Sequence, residues 1–257
     1  MFAGMKGFHA ISLLLAALIV LALLATRDTR PRGAPRPMIW VWAWEGYDDL
    51  RFLDPHQAGV AFLAATVRLD STGVRWTGRG QGLRLPPGIR RMAVVRVESA
   101  TAIDERSRRE VAEHLVEIAR FEANAGLQID WDAPRSLRPT YRALLRDVRA
   151  ALPDTLPLSV TALASWCTGD CWLEGVPFDE VVPMVFRMGA DERRVRYDLA
   201  RRGEFLCRAC REAVGLSTDE GEWPRLSERR VYLFHPGPWT SAVYDRALAR
   251  LRNTRSR

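Results

Sequence analysis

The chain has 257 residues and a formal charge of +7, with 38 basic against 31 acidic side chains and 47% hydrophobic residues. That is enough for one large domain with a real core, and too apolar for a disordered chain. Lys6 is the only lysine, so arginine carries the basic excess; the arginines are spread over predicted helix faces (Arg106, Arg108, Arg109; Arg142, Arg146, Arg149) rather than gathered into a stripe, which argues against nucleic acid as a partner.

Lys6 precedes an apolar run from Ile11 to Ala25 broken only by Ser12, and Arg27, Asp28, Arg30 and Arg32 follow it. Residues 1–27 therefore read as a signal peptide or an uncleaved membrane anchor, and residues 28–37 as a Pro/Arg/Gly linker. Both readings export the remainder, to the periplasm or to the periplasmic face of an inner membrane.

From residue 38 to 252 apolar runs bounded by turn residues recur: Met38–Trp44, Val60–Val67, Met92–Val97, Leu127–Trp131, Leu156–Leu163, Val181–Met188, Ala213–Ser217 and Val231–Phe234. Unalternated runs of this kind suit parallel strands buried on both faces. Helical periodicity is predicted over Arg106–Ala123, Pro139–Leu152, Asp191–Leu206 and Ser241–Leu251, the last capped by Thr240 or Ser241. The first connection, Glu45–Gly59, holds at best a short helix, and the seventh, Thr218–Arg230, is too short and proline-broken for a full one. Val74–Trp76 and Leu83–Leu85, flanking Gly78-Arg-Gly-Gln-Gly82, read as a hairpin added to the second connection. The expectation is an α/β chain forming one closed (β/α)₈ TIM-like barrel with some helices shortened.

Cys167 and Cys171 form one close pair and Cys207 and Cys210 another. Outside the cytosol two local disulfides are natural, while paired knuckles also suit zinc. In a barrel the first pair follows a strand and the second precedes one, which puts them at opposite ends, so disulfides or free thiols are favoured over zinc. The four histidines (His9, His56, His114, His235) show no ligand spacing, and no metal or cofactor is expected. His235 reads as a hydrogen-bonded structural histidine, and Ser217 lacks the closing glycine of a nucleophile elbow.

Acids and aromatics gather where the strands should end: Glu45 after the first, Arg96 and Glu98 at the third, Asp130, Trp131 and Asp132 at the fourth, Trp166 after the fifth, Arg187 in the sixth, Asp219 and Glu220 after the seventh, and His235 and Trp239 after the eighth. Alternation sends Gln128, Asp130 and Asp132 to one face. Of Trp40, Trp42 and Trp44, at least two fit a barrel core, whereas Trp166, Trp172 and Trp239 fit sugar stacking. Carboxylates that could act as acid and stabiliser, with indoles and guanidinium forks, suit a carbohydrate ligand and cleavage of a glycosidic bond. The bland alternative pairs Asp130 and Asp132 with Arg96 or Arg187 in a structural network.

Ile129-Asp130-Trp131-Asp132-Ala133-Pro134 resembles the fourth-strand signature Asp-x-x-Asp-x-Asp-x-Glu of chitinase-like glycoside hydrolases, and Met184-Val-Phe186-Arg187 resembles their sixth-strand Met-x-Tyr-Asp. Over most of residues 38 to 240, the pattern resembles an uncharacterised family of exported bacterial proteins, a domain of unknown function. Against the chitinase signature Ala125 and Gln128 stand for the first two acids, Asp130 keeps the third, Asp132 replaces the general-acid glutamate, and Phe186 and Arg187 replace the tyrosine and its acid. The resemblance implies the barrel; together with the strand-end acids it gives Asp132 as acid and Asp130 holding substrate or stabilising the cationic centre, while the strand-end positions themselves offer Glu98 and Glu220 as further candidate catalytic carboxylates and Glu45, Arg96, Trp131, Trp166, Arg187, Asp219 and Trp239 as polysaccharide-binding residues. The departures leave open a barrel of the same shape that binds a polysaccharide or a protein without catalysis.

Overall fold

The structure, a computed structural model, describes residues 38–70, 72–121, 124–225 and 229–255. The proposed signal or anchor segment and the linker lie outside the described residues. None of the described helices is long and apolar enough to cross a membrane.

The strands are β1 (Ile39–Ala43), β2 (Asp48–Asp49), β3 (Ala58–Asp70), β4 (Gly73–Gly78), β5 (Leu83–Arg84), β6 (Arg90–Ser99), β7 (Leu127–Asp130), β8 (Leu158–Leu163), β9 (Glu180–Met184), β10 (Ala213–Ser217) and β11 (Arg230–Phe234). The α-helices of the described residues are α1 (Glu105–Arg120), α2 (Arg138–Ala151), α3 (Glu192–Arg202) and α4 (Ser241–Arg255). Eight of the strands pair in parallel in the order β1-β3-β6-β7-β8-β9-β10-β11, and β11 returns to β1 through Ile39↔Val231 to Val41↔Leu233, so the sheet closes on itself. Closure leaves no exposed parallel edge.

All eight predicted apolar runs are barrel strands, and all four predicted helices are present within a few residues. The helical ring is thinner than a full (β/α)₈ pattern. Helices follow β6, β7, β9 and β11; β8 is followed by a π-turn at Trp166–Asp170, and no α-helix is found among the described residues of the other connections. The predicted hairpin of the second connection is corrected: β4 folds back on an overlong β3, from Asp70↔Gly73 to Ala65↔Gly78, while Leu83–Arg84 pairs with Asp48–Asp49. The reason is length, since β3 runs 13 residues and its far half has no barrel neighbour on that side until β4 supplies one. Trp76 of β4 then packs 4.2 Å from the His114 ring on α1.

Two apolar layers result. Outside the strands, Val111, Leu115, Leu144, Leu145 and Val148 of α1 and α2 meet Val95, Ile129 and Val160. Inside, Trp40, Trp42, Met92, Val94, Val182 and Tyr232 fill the bore. Trp40 stacks on Tyr232 with ring centres 5.9 Å apart. Such large rings fit because glycines face them: a Cβ on Gly59 would sit 2.7 Å from Trp40, and one on Gly215 would sit 2.8 Å from Trp42. A polar chain crosses the same bore. Trp42 Nε1 donates to Gln128 Oε1 (2.7 Å), Gln128 Nε2 to Ser159 Oγ (3.0 Å), Ser159 Oγ to Glu180 Oε2 (3.2 Å) and Tyr232 OH to the same oxygen (2.6 Å). Arg230 pairs with the other oxygen of this fully buried carboxylate, so the charge is compensated where it lies.

The cysteines overturn the local pairing. Cys167 is bonded to Cys210, and Cys171 to Cys207. The expectation that the two pairs sit at opposite ends fails because a connection runs the full height of the barrel. The segment after β8 descends the outer wall, and the segment before β10 lies against it, with Cys207 N donating to Cys167 O at 3.2 Å. Both disulfides belong to the outer apolar layer, and they tie the segment after β8, which holds no α-helix, to the segment before β10. With all four sulfurs so engaged, none is a thiolate able to ligate zinc.

Two outcomes follow from this packing. Gly59→Ala or Gly215→Ala forces an indole out of position and lowers unfolding free energy by about 1–3 kcal/mol in urea titration, without changing secondary structure. Non-reducing digestion with trypsin plus a protease cutting before Asp170 releases Cys167 linked to Cys210 and Cys171 linked to Cys207. Reduction then costs about 2–4 kcal/mol per bridge, read in the same titration.

Candidate active site at the barrel mouth

At the carboxyl ends of the strands a cavity of about 180 Å³ is walled by Trp42, Trp44, Arg96, Asp130, Asp132, Thr161, Met184, Phe186, Arg187 and Phe234. This volume is below the ~300–1,000 Å³ of ordinary small-molecule sites, so it suits one ring-sized group. Trp42 forms the floor. Phe186 and Phe234 stack at 5.5 Å on one side, and Trp44 meets Phe234 edge-on at 6.5 Å.

Asp130 ends β7 and is the register partner of Arg96 on β6. Thr161 Oγ1 donates to Asp130 Oδ1 at 2.6 Å. Enclosure pushes the Asp130 carboxyl up to about 6; the neighbouring Asp132 charge adds to this, while the Thr161 hydrogen bond and Arg96 oppose it. Asp132, two residues on and facing the same cavity, is also raised by burial and held down by Arg96. Trp131 between them points the other way, as strand alternation requires.

Arg187 has φ +49°, a left-handed backbone that a non-glycine residue adopts at a cost. Its N–H donates to Glu220 Oε1 (3.1 Å) and its guanidinium to Asp219 Oδ2 (3.0 Å), which hold the cation 5.0 Å from the centre of the Phe234 ring. The first loop is fixed by Arg79, which donates to the carbonyls of Ala43, Trp44 and Gly46 and lies 3.5 Å from Asp48. Asp48 in turn accepts from Trp239 N at 3.2 Å. His235 Nδ1 lies 2.6 Å from the Thr218 hydroxyl, and burial lowers its pKa.

The sequence-predicted residues divide into three groups. Asp130, Asp132, Arg96 and Arg187 share the cavity wall. Glu98 and Glu45 reach it through Arg96, at 3.4 and 3.7 Å, and Glu98 is also bound by Arg68 at 2.6 Å. Asp219 and Glu220 brace Arg187 from behind, and Glu220 also meets Arg196 at 3.3 Å. The third group lies elsewhere. Trp131 is 2% exposed and packs 4.9 Å from Tyr141 in the outer layer; Trp166 is 5% exposed and packs against Trp172. Neither offers a face to a ligand. Trp239 is 4% exposed, its Nε1 donating to Trp42 O, and it edges a neighbouring cavity.

Sequence reasoning passed over Thr161 and Phe234 as site residues. Thr161 had a signal: Ser159 and Thr161 are polar at alternate positions of an otherwise apolar strand, next to Gln128 and Asp130 on β7, with Gln128↔Ser159 in register. Phe234 carried none, being one more apolar residue at a strand end.

Residues 88–181 match a family described as a domain of unknown function (DUF3142). No curated protein matches the sequence. Among solved structures the chain is similar to the chitinase domain of the spore coat protein CotE from Clostridium difficile (14% identity, 61% of this chain and 51% of that one, TM-score 0.41) and to the spore cortex-lytic enzyme SleL from Bacillus cereus (13%, 73% and 52%, TM-score 0.49). It is similar also to a Streptomyces coelicolor protein described as chitinase A (11%, 84% and 97%, TM-score 0.51). The chain spans about half the length of the first two. At these identities the likeness is one of fold: the chain is a TIM barrel of the kind found in chitinase-like glycoside hydrolases.

The raised Asp130 carboxyl gives a stability test. A buried acid whose folded pKa exceeds its unfolded value keeps its proton while the unfolded chain loses one, so stability falls as pH rises from about 4 through 6. Asp130→Asn removes this dependence. The variant unfolds at higher denaturant than wild type at pH 8, by up to about 3 kcal/mol, and the difference shrinks towards zero at pH 4.

Proposed function

We propose that this protein is an exported, carbohydrate-binding barrel of the glycoside hydrolase type, which cleaves a glycosidic bond in an envelope or extracellular polysaccharide. The observation that carries the reading is the pairing of Asp130 and Asp132 on one wall of an aromatic, ring-sized cavity at the carboxyl ends of the strands. Asp132, the less enclosed of the two and raised by burial, acts as proton donor to the leaving oxygen. Asp130, steadied by Thr161, holds the substrate or stabilises the cationic anomeric centre. Arg96 and Arg187 donate to hydroxyls, and Trp44 and Phe234 supply apolar faces. Two disulfides in the outer wall fit the oxidising compartment implied by the N-terminal apolar run.

One observation favours a second reading, a binding module without hydrolysis. Glu98 and Glu220, the carboxylates that would complete the pair across the mouth, are each held in ion pairs. A glycan-release screen with purified wild type and Asp132→Asn separates the two. The hydrolase reading expects release by wild type and about a hundredfold less by the variant. Release unaffected by the substitution takes Asp132 out of the mechanism; glycan binding without release by either protein selects the module.

A further inference from the structure

Beside the mouth, and sharing Trp44 and Phe234 with it, lies a cavity of about 190 Å³ whose far side includes His235. His235 also stands in the wall of a further cavity, of about 280 Å³, with Thr218, Asp219, Trp223, Arg246 and Arg250. The charges in this last cavity do not balance. Arg250 lies 4.0 Å from the centre of the Trp223 ring and donates to the carbonyls of Glu220 (2.8 Å) and Gly221 (2.9 Å), so its hydrogen-bond partners are neutral. Arg246 is exposed and makes no hydrogen bond or ion pair among the described residues. The acid in the wall, Asp219, has one oxygen on Arg187 (3.0 Å) and the other on the Ser217 hydroxyl.

A part-buried guanidinium bound only by carbonyls keeps an uncompensated charge, and buried charges in proteins are ordinarily paired. An oxyanion entering here gains charge-assisted hydrogen bonds from two arginines and breaks no existing ion pair. The Thr218 hydroxyl, 2.6 Å from His235 Nδ1, adds a polar group to the same wall, and the Trp223 face keeps the second cation oriented.

We infer that this cavity is an anion subsite, taking a carboxylate, sulfate or phosphate group carried by a sugar residue further along the glycan than the one in the mouth, so that the glycan is an acidic one. The inference rests on the carbohydrate reading above and narrows it to acidic polymers.

The test uses full-length protein, wild type and Arg246→Gln. Arg246 is exposed and unpartnered, so the variant is expected to keep its thermal midpoint, which is measured alongside. Each protein is titrated calorimetrically with inorganic sulfate, and with tetrasaccharides in matched charged and neutral forms, namely uronates against their methyl esters, and sulfated or phosphorylated chains against the unmodified ones. The expected result is wild-type binding of a charged member about tenfold tighter than its neutral partner, with that preference and the sulfate affinity both reduced in the variant. The matched pairs also identify which oxyanion is preferred. Equal retention of charged and neutral forms overturns the subsite and leaves the carbohydrate reading intact. Sulfate binding that depends on Arg246, with no glycan retained in any form, overturns the acidic-glycan assignment together with the carbohydrate reading. Sulfate and glycan binding both indifferent to Arg246→Gln overturns the inference outright.

Discussion

The mouth of this barrel stands on one indole. Trp42 crosses the bore within 5.2 Å of Tyr232 and meets Phe186 at 6.2 Å, while its N–H is tied to Gln128. Its ring tip occupies the space that a side chain on β10 would take, which is why Gly215 faces it. Asp130, Thr161, Phe186 and Phe234 are arranged around a floor that has one position available. Close packing of this kind transmits small errors, since an interior as dense as a crystal does not relax around a misplaced ring. The aromatic filling and the geometry of the two aspartates are therefore one property.

Below that floor the polar chain from Gln128 through Ser159 to Glu180 is set among apolar neighbours. Each buried polar group in it has a partner, and the single formal charge, on Glu180, meets Arg230 and the Tyr232 hydroxyl. A satisfied network of this sort adds little net stability over an apolar core but penalises any register in which one partner is lost. It links β1, β7, β8, β9 and β11, tying the first strand to the middle and last ones across the bore. The chain thus works as a check on barrel closure.

Much of this was legible in the sequence because its signals are local. Unalternated apolar runs marked every barrel strand, helical spacing marked α1 to α4, and alternation placed Gln128, Asp130 and Asp132 on a single face. What was not legible depends on the path of the chain between elements. Trp131 and Trp166 sit at strand ends, as sugar platforms should, yet both turn outward into the helical layer. The cysteine pairs were assigned to opposite ends because strand order says nothing about the height at which a connection is crossed. Arg79, inside what read as a decorative hairpin, organises the first loop through three carbonyls, and no residue-type pattern announces a cation that binds backbone.

Arg187 carries a conflict within a single residue. Its left-handed backbone conformation is one that glycine would adopt freely, while its side chain supplies the cation above the Phe186–Phe234 pair. The strain, of order 1 kcal/mol or more, is borne by the fold and returned as a fixed position for the charge. Glycine there would relieve the strain and take the cation off the rim, so backbone ease and rim charge are exchanged one for the other at a single residue.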